Sequence, residues 1–549
     1  MDTELHQGFL RELQALDELL ADRHRGPRFV EREDPDVRRL MEALALFSAR
    51  TRQVATNTLR GAVQRLVHGH LDDFLTPEPT RGMVRAVPGA RLTDPVILPR
   101  GTRVRLQTND DDVGMFTTGR DMTIRPLQLD WAERQLRGRD GFRVLLRVRS
   151  HSLTQQMSEP LSLNINHMND YVASLRLFTR LRRNLERVTV RYDDVPAPHE
   201  HGEECEARFG GRITARPGAD IRSRLQLGPG GTVADIRRFF HHPASDLFLD
   251  IDLPKPAKPW RQAWVCIDLG GKWPEDQVIN QTMFRLFVVP IENRFSEPAE
   301  PIRADGTQTT FPIRSWQPEL RASFHSVVEV SQQTPGGADV ILPASLASGR
   351  ESYDVDRDGE DGDPNLLLRL PDAFLRPRVV SVQALWHQPW FEDVAVGKLR
   401  ATLQTRHVEG VELQMQGDLR PHEDSVLWEE ANAMLQVMSR KAKRILSLRD
   451  ITKLMTTLGA NDRGYHGEVA ADILHVEVHE EPAAAREGGG VAYLYKVIVA
   501  EVDEDRRALL EDYVARLDTL VDAWSNNPAR AEVSDRRPAA RAVEQGVRA

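Results

Sequence analysis

The chain has 549 residues and a mass of 62.2 kDa, which is too long for one ordinary domain of about 100–200 residues. With 40% hydrophobic and 28% charged residues, it can bury several cores, and this excludes a wholly disordered protein. Its 73 basic and 82 acidic residues leave a formal net charge of −9, so we do not expect nucleic acid as a partner.

The cellular compartment follows from the cysteines and the amino terminus. Two cysteines, Cys205 and Cys266, are too few for the disulfide framework of small secreted domains, and a reducing compartment is the simpler interpretation. Residues 1–6 lack the basic start and apolar core of a signal peptide. No run approaches the roughly 18 apolar residues that a membrane helix requires. We therefore expect a cytoplasmic protein without direct membrane insertion.

The first eighty residues are predicted to form a helical arm. Apolar residues recur at three- and four-residue intervals over Glu4–Ala21, which indicates one buried helical face. A second helix is predicted to begin at Asp34, where an N-cap residue precedes a proline and an acidic first turn. Pro77 and Pro79 end the helical pattern. The arm is assigned to residues 1–80.

Beyond the arm, the pattern changes to short strands. Stretches separated by Gly, Pro, Asn and Asp, several of them alternating in polarity, predict a β-rich middle region over residues 81–320. Leu175–Leu185 fits both the helix and the strand template. Residues 321–549 are predicted to form a mixed α+β region with a loose polar tail, so the fold class is α+β. The elements predicted in its last third are helices over Ser425–Ser439, Leu448–Leu458 and Glu504–Trp524, and strands over Ile473–Val478 and Tyr493–Val499.

An acidic segment beginning at Asp354 matches the opening of a calcium loop, because alternate carboxylates and a glycine at position 359 could wrap a hard cation. The twelfth position is Asn365 instead of a bidentate glutamate, and neither side shows a flanking helix. A solvated acidic loop between two strands is the better interpretation.

Histidines supply the other candidate sites. His199, His201 and Cys205 are residue types that bind transition metals, but one short polar segment with no second ligand pair favours a surface loop. The acidic residues beside them are Glu200, Glu203, Glu204 and Glu206. The alternating set His475, Glu477 and His479 is interpreted as a solvated strand face, and His241, His242 and Trp386–Trp390 as packing residues.

The familiar catalytic motifs are absent from the sequence. There is no nucleophile elbow, phosphate loop, HExxH zinc helix or dinucleotide glycine fingerprint. Gly228–Thr232 is glycine-rich, but no lysine follows it and its proline removes an amide donor, which favours a surface turn. We therefore predict no catalytic residues, no cofactor and no enzymatic activity.

Several stretches, taken in order, match the motifs of one family. Asp34–Glu42 and Ala45–Arg50 correspond to an early helix with a DPxVxRLLE and AFLxAR run, which is the most specific match. On these stretches the chain resembles the TssF family, also called VasA or ImpG, of type VI secretion systems. Departures from the family pattern occur at Arg38, Thr80 and Arg294. Further matching stretches are Leu75–Thr80, Leu98–Thr102, Phe116–Thr118, Arg125–Leu127, Phe239–Pro243, Leu247–Leu249, Pro290–Phe295 and Glu297–Ile302.

The resemblance implies a mechanical role in the baseplate. In this family, two TssF copies clasp one TssG to form a wedge that TssK joins, and six wedges surround the spike hub beneath the contractile sheath. The implied partners are TssG-like and TssK-like subunits and a second copy of the chain, with sheath, TssE-like and spike hub proteins as further neighbours. The two amphipathic helices would then be candidates for a bundle shared between wedge subunits. The candidate interface residues are Leu13, Leu16, Leu20, Leu40, Leu44 and Phe47.

Three alternatives stay open on the sequence alone. Both helices could pack on the chain's own β domain instead of on a partner. The chain could be the wedge protein of a related phage-tail-like contractile injection particle. A metal-dependent enzyme that uses the His199–Cys205 segment or the Asp354 loop is the least favoured of the three.

Overall fold

The fold is described from a computed structural model, in which two N-terminal helices precede a mainly β-stranded region that also contains helices, and the last third mixes helices with strands. The α+β class predicted from the sequence is confirmed. Among the described residues, no helix combines the length and hydropathy needed to cross a membrane. The structure describes residues 3–23, 35–67, 74–137, 141–154, 159–197, 200–210, 232–271, 273–274, 278–334, 337–344, 347, 349–357, 364–395, 397–404, 408–425, 427, 431–461, 464–482, 490–525 and 527–534.

Several of the described helices begin where a side chain satisfies free backbone amides of the first turn. Asp170 accepts hydrogen bonds from the amides of Val172 and Ala173. This cap favours a helix in the segment Leu175–Leu185, which fitted both the helix and the strand template. Ser447 and Asp450 form a capping box. The helices are α1 (Thr3–Arg23), α2 (Pro35–Val67), α3 (Tyr171–Asn184), α4 (Thr232–His241), α5 (Phe391–Val394), α6 (Ala431–Lys441), α7 (Leu448–Thr457) and α8 (Glu504–Trp524).

The strands are short and fill the middle of the chain, as the alternating polarity predicted. They are β1 (Arg81–Pro88), β2 (Val96–Leu98), β3 (Arg103–Gln107), β4 (Val113–Thr118), β5 (Met122–Ile124), β6 (Leu127–Arg137), β7 (Gly141–Thr154), β8 (Leu161–Ile165), β9 (Leu185–Tyr192), β10 (Glu203–Phe209), β11 (Phe248–Asp252), β12 (Trp260–Gly270), β13 (Phe284–Leu286), β14 (Val288–Glu292), β15 (Phe295–Pro298), β16 (Ile302–Ala304), β17 (Thr310–Pro312), β18 (Ser323–Thr334), β19 (Gly337–Ile341), β20 (Ser352–Asp356), β21 (Asn365–Arg369), β22 (Arg378–His387), β23 (Arg400–Leu403), β24 (Val411–Arg420), β25 (Ile473–Pro482), β26 (Val491–Val499) and β27 (Ala529–Ser534).

Two sheets dominate the first part of the β region. A closed barrel has the strand order β1-β14-β4-β3-β23-β24, and an eight-stranded sheet has the order β13-β8-β11-β10-β9-β12-β7-β6. The barrel therefore takes strands from three distant parts of the chain, and its closure leaves no free edge. In the eight-stranded sheet, β12 pairs with β7 over Gln262–Gly270 and with β9 on its other side.

The remaining strands form smaller sheets. A five-stranded sheet (β15-β22-β18-β19, with β16 also on β22) and a three-stranded sheet (β17-β21-β20) share one apolar core that includes Phe295, Phe311 and Trp386. Near the carboxyl terminus, β25 and β26 pair antiparallel and β27 adds in parallel. Helix α8 is tied to α3 by ion pairs, of which Arg176 to Asp505 measures 2.9 Å.

The chain divides into two compact units. The first comprises residues 1–75 and 426–439, and therefore contains α1, α2 and most of α6; the second comprises residues 76–425 and 440–549. The domain boundaries at 80/81 and 320/321 stay a prediction. Among the described residues, five strand pairings join opposite sides of position 320, namely β1 with β24, β3 with β23, β15 with β22, β16 with β22, and β17 with β21.

Candidate partner interface

Helices α1 and α2 pack on each other through small side chains. On α2, Met41, Ala45 and Ala49 are buried at four-residue spacing. A methyl group added at Gly8 of α1 would lie 3.6 Å from Cβ of Ala49, so the two backbones approach closely. These small residues explain why the contact between α1 and α2 is tight.

A carboxylate of α1 reinforces this packing. The Ser48 hydroxyl donates a hydrogen bond of 3.0 Å to Glu12, and a guanidinium nitrogen of Arg52 lies 2.9 Å from the same carboxylate. Because Ser48 and Arg52 lie on the same side of α2 as the buried alanines, this side faces α1. The other side of α2 is left for a different contact.

The outward side of α2 carries an exposed apolar stripe. Leu40, Leu44 and Phe47 are 64%, 49% and 72% exposed, although large apolar side chains are normally buried. Val54 continues the stripe and is also exposed. Thr51 and Thr58 fill the remaining positions of what we call the α2 stripe: Leu40, Leu44, Phe47, Thr51, Val54 and Thr58.

The two threonines turn their hydroxyls back to the helix. Thr51 donates a hydrogen bond of 2.8 Å to the carbonyl of Phe47, and Thr58 donates one of 2.8 Å to the carbonyl of Val54. A hydroxyl that bonds to the carbonyl four residues earlier leaves the threonine methyl group to face outward. The stripe is thus apolar over about 27 Å of helix, at a rise of about 1.5 Å per residue.

The spacing along the α2 stripe identifies the kind of surface that fits it. Successive members are separated by 4, 3, 4, 3 and 4 residues, which is the spacing of a coiled-coil seam. Side chains at this spacing form one row that interdigitates with another helix crossing at a shallow angle of about 20°. The α2 stripe therefore suits a partner helix better than a flat sheet or a small molecule.

The structure separates the residues that the sequence grouped into one interface. Leu40, Leu44 and Phe47 are exposed as a partner contact requires, whereas Leu13 and Leu16 on α1 are half-buried. The side chain of Leu20 lies outside the described part of the chain. Apolar residues of α2 that are neighbours in sequence also differ in exposure. Met41 is buried against α1, whereas Leu40 faces outward. Sequence reasoning missed Thr51, Val54 and Thr58, although the alternating 4-3 spacing was a signal for them.

The residues of the least favoured alternative, a metal site, are not brought together in the described part of the chain. His199 lies outside the described residues, and no group of three or more His, Cys, Asp or Glu side chains within the described ranges could hold a metal ion. Cys205 is buried on β10, where burial raises the pKa of its thiol to about 12. The His201 ring contacts the guanidinium groups of Arg143 and Arg187. These two positive charges would repel a metal cation bound at His201.

The alternating face of β25 is partly exposed, whereas the acidic loop falls largely outside the described residues. Asp354 and Asp356 lie on β20, and the loop residues 358–363 lie outside the described part of the chain. On β25, the His479 ring lies 3.5 Å from the Glu477 carboxylate, and both side chains are partly exposed.

The histidines that the sequence assigned to packing lie within the fold, with His241 and His387 buried and His242 half-buried. His241 lies 2.7 Å from the carbonyl oxygen of Pro421, and His387 stacks on His422 with ring centres 5.0 Å apart. Burial lowers the pKa of His241 to about 4 and the pKa values of His242 and His387 to about 3. The folded protein therefore keeps these rings neutral at pH values where an unfolded chain would protonate them.

This difference predicts a loss of stability in mild acid. The unfolded state binds protons at these histidines below about pH 6.5, whereas the folded state resists them until about pH 4 or lower. The stabilisation that these neutral histidines give to the folded state is thus complete above about pH 6.5. It declines as the pH falls toward their pKa values in the folded protein. We expect thermal scans to show the unfolding temperature falling between pH 7 and pH 4.5, for a loss on the order of a few kcal/mol. An unfolding temperature that stays constant or rises over this interval would contradict the account.

A buried row of charges crosses three strands, and no pattern in the sequence indicated it. Asp268 on β12 is the register partner of Arg143 on β7 and of Arg187 on β9. Its oxygens lie 2.7 Å from Nε of Arg143 and 2.9 Å from Nε of Arg187, and both Asp268 and Arg143 are fully buried. Arg137 adds a third ion pair to Asp268 at 2.8 Å. We call Arg143, Asp268 and Arg187 the charge row.

Comparison with known proteins decides the family. The family model described as "Type VI secretion system, TssF" matches residues 19–354, which is more than half of the chain. This chain belongs to the TssF family. The match covers α2, most of the barrel and the whole eight-stranded sheet, so it includes the α2 stripe and the charge row. No curated protein matches the chain.

Two solved structures share the fold of this TssF family member. One is a chain from the "type VI secretion system TssK-TssF-TssG baseplate subcomplex", with a TM-score of 0.68 and 15% identity over 90% of this chain and 96% of that one. The other is a chain from "the baseplate complex from the type VI secretion system", with a TM-score of 0.57 and 16% identity over 93% of this chain and 92% of that one. At such identities the likeness concerns the fold, which extends over nearly the full length of each chain.

Proposed function

We propose that this TssF family member is a structural wedge subunit of a type VI secretion baseplate in the cytoplasm, and that it acts by assembly and not by catalysis. It assembles with TssG-like and TssK-like subunits and with a second copy of itself. Family membership and the fold shared with chains of baseplate complexes support this role. The domain boundaries at residues 80/81 and 320/321 belong to the same proposal.

The observation that carries the proposal is the α2 stripe. The α2 helix exposes six apolar or methyl-bearing side chains in coiled-coil spacing, and a partner helix would bury this apolar surface. A stable monomer seldom leaves a continuous apolar row of this length in water. A helix of the TssG-like subunit, or α2 of the second copy, is the occupant that this spacing fits.

A tagged copurification tests the proposal. The tagged chain is coexpressed with its TssG-like and TssK-like neighbours, and the eluted subunits are identified and quantified. A stable complex that contains both neighbours is the expected result. Recovery of the chain alone, with both neighbours present and soluble in the same lysate, would overturn the wedge role.

Solubility supplies an independent prediction. Expressed alone, the chain should be largely aggregated, because the α2 stripe and other exposed apolar residues lie open to non-specific contacts. Coexpression with the TssG-like neighbour should shift most of the chain to the soluble fraction, because a bound partner stabilises the folded state by mass action. Size-exclusion chromatography measures the aggregated and the monodisperse fraction of the chain, with and without the neighbour. Equally monodisperse behaviour with and without the neighbour would argue against the proposal.

A further inference from the structure

A small cavity lies at one end of the barrel, away from the α2 stripe in sequence and formed wholly within the second unit. Its wall comes from the start of β1, the turn before β3, the residues after β4 and the end of β14. The carboxyl end of α4 and the 3-10 turn Pro243–Asp246 cover it. Its volume of about 30 Å³ has room for two or three water molecules, at about 10–15 Å³ for each.

Four arginines line this cavity, namely Arg81, Arg100, Arg120 and Arg238. The two lining carboxylates are already engaged. Glu292 lies 2.7 Å from Arg294 outside the cavity, and Asp246 lies 2.8 Å from Arg516. Glu292 also pairs with Arg81 of the cavity wall at 3.4 Å. The four lining arginines outnumber the two lining carboxylates, so the wall carries more positive than negative charge.

The guanidinium group of Arg100 is the least satisfied of the four. Among the described residues, no side chain or carbonyl lies within hydrogen-bonding or ion-pairing distance of it, although the group is half-buried. Burial lowers the pKa of Arg100, and the charges of Arg238 and Arg294 add to this effect, whereas the charges of Glu292 and Asp235 oppose it without reversing it. The group is thus a partly desolvated cation that the neighbouring carboxylates do not fully compensate, and an anion would stabilise it.

Two of the other arginines keep a donor without a partner. Arg81 is buried and reaches Glu78 and Glu292 through Nη2, while its Nε has no hydrogen-bond partner in the part of the chain that is described. Arg120 uses Nη2 for Asp250, and its buried Nη1 is likewise without a partner. A buried donor left without an acceptor costs free energy, so these groups favour a bound acceptor.

We propose that this cavity binds one small tetrahedral oxyanion of the phosphate or sulfate class, with Arg100 as its main ligand and Arg81 and Arg120 as further donors. An oxyanion supplies several acceptor oxygens at once, which suits converging guanidinium groups. The cavity is too small for the sugar and base of a nucleotide. The proposal does not depend on the wedge role.

Isothermal titration of the purified full-length chain, alone or in its complex, tests this site. Potassium phosphate is titrated at constant ionic strength, with chloride as the balancing anion, because salt screens non-specific attraction. We expect saturable binding with one site per chain. Arg100→Gln should weaken the affinity by at least about tenfold, since it removes a charge-assisted hydrogen bond. Arg91→Gln, which changes an exposed arginine paired with Glu409, should bind phosphate as the unmodified chain does.

Thermal unfolding gives a second readout that does not require a large heat signal. Phosphate should raise the unfolding temperature of the unmodified chain and of Arg91→Gln, but not that of Arg100→Gln. Without phosphate, Arg100→Gln should unfold at the same or a higher temperature, because it removes an unpaired, half-buried charge. The absence of saturable phosphate binding would overturn the proposal. So would equal affinity in Arg100→Gln, or tighter binding of AMP than of phosphate.

Discussion

Replacing Asp268 with asparagine should destabilise the protein by about 3–5 kcal/mol, the cost of removing one partner from a buried ion pair. Asparagine has nearly the same shape but no charge, so Arg143 would be left as a buried cation without a counter-ion. Burial alone would raise the pKa of Asp268, but hydrogen bonds from Arg143 and Arg187 outweigh it and lower the pKa. The carboxylate is therefore ionised in the folded protein at neutral pH. Denaturant titration of the unmodified chain and the variant measures the loss.

Asp130 supplies a matched control in the same sheet. It also pairs with two arginines, Arg147 at 2.8 Å and Arg149 at 3.0 Å, but these pairs lie partly in solvent. Asp130→Asn should therefore cost no more than about 1 kcal/mol, as for other exposed ion pairs. Equal losses of unfolding free energy for Asp130→Asn and Asp268→Asn would show that burial does not determine how much the charge row stabilises the protein.

Placing a charge in the α2 stripe should abolish assembly without unfolding the chain. Phe47 is 72% exposed, so Phe47→Asp removes little packing within the chain, yet it would bury a carboxylate in the seam with a partner helix. A central aromatic contact is typically worth about 2 kcal/mol or more, which corresponds to at least about a 30-fold loss of affinity for the TssG-like subunit. Copurification yield and interferometry with the isolated partner measure the effect.

Leu46→Asp is the matched control for that experiment. Leu46 is apolar, exposed and adjacent to Phe47 in sequence, but it points about 100° away around the helix. Both variants lower helix propensity by no more than about 0.7 kcal/mol, Leu46→Asp by more than Phe47→Asp, so circular dichroism should show similar helix content. Loss of the partner in Phe47→Asp, with retention in Leu46→Asp, is the expected pattern. Retention in both would mean that the α2 stripe is not the contact.

Much of the secondary structure could be predicted from the sequence because its signals are local. The final helix was predicted over Glu504–Trp524, and the structure has the same bounds. Local apolar spacing could not decide Leu175–Leu185, since the cap at Asp170 that fixes α3 lies outside that window. The helix predicted over Ser425–Ser439 was less accurate, because the structure has it at Ala431–Lys441 and Ser425 is not helical.

Non-local pairing limited what the sequence could show. The charge row joins residues 143, 187 and 268, and only the register of three strands makes them neighbours. Barrel closure likewise joins β1 to β24 across more than 300 residues of chain. The α2 helix shows a related limit, because periodicity identifies an apolar face without showing which part of it the chain itself covers.

Site-specific photocrosslinking can show whether the α2 stripe is the surface through which the chain assembles. A photoreactive phenylalanine derivative is placed at position 47, and in a parallel sample at position 46, in the chain coexpressed with its TssG-like and TssK-like neighbours. We expect a strong crosslink from position 47 to a helix of the TssG-like subunit or to α2 of a second copy, and a weak one from position 46. A soluble, irradiated complex with no crosslink at position 47, or with equal crosslinks at both positions, would contradict the assignment of the α2 stripe as the assembly surface.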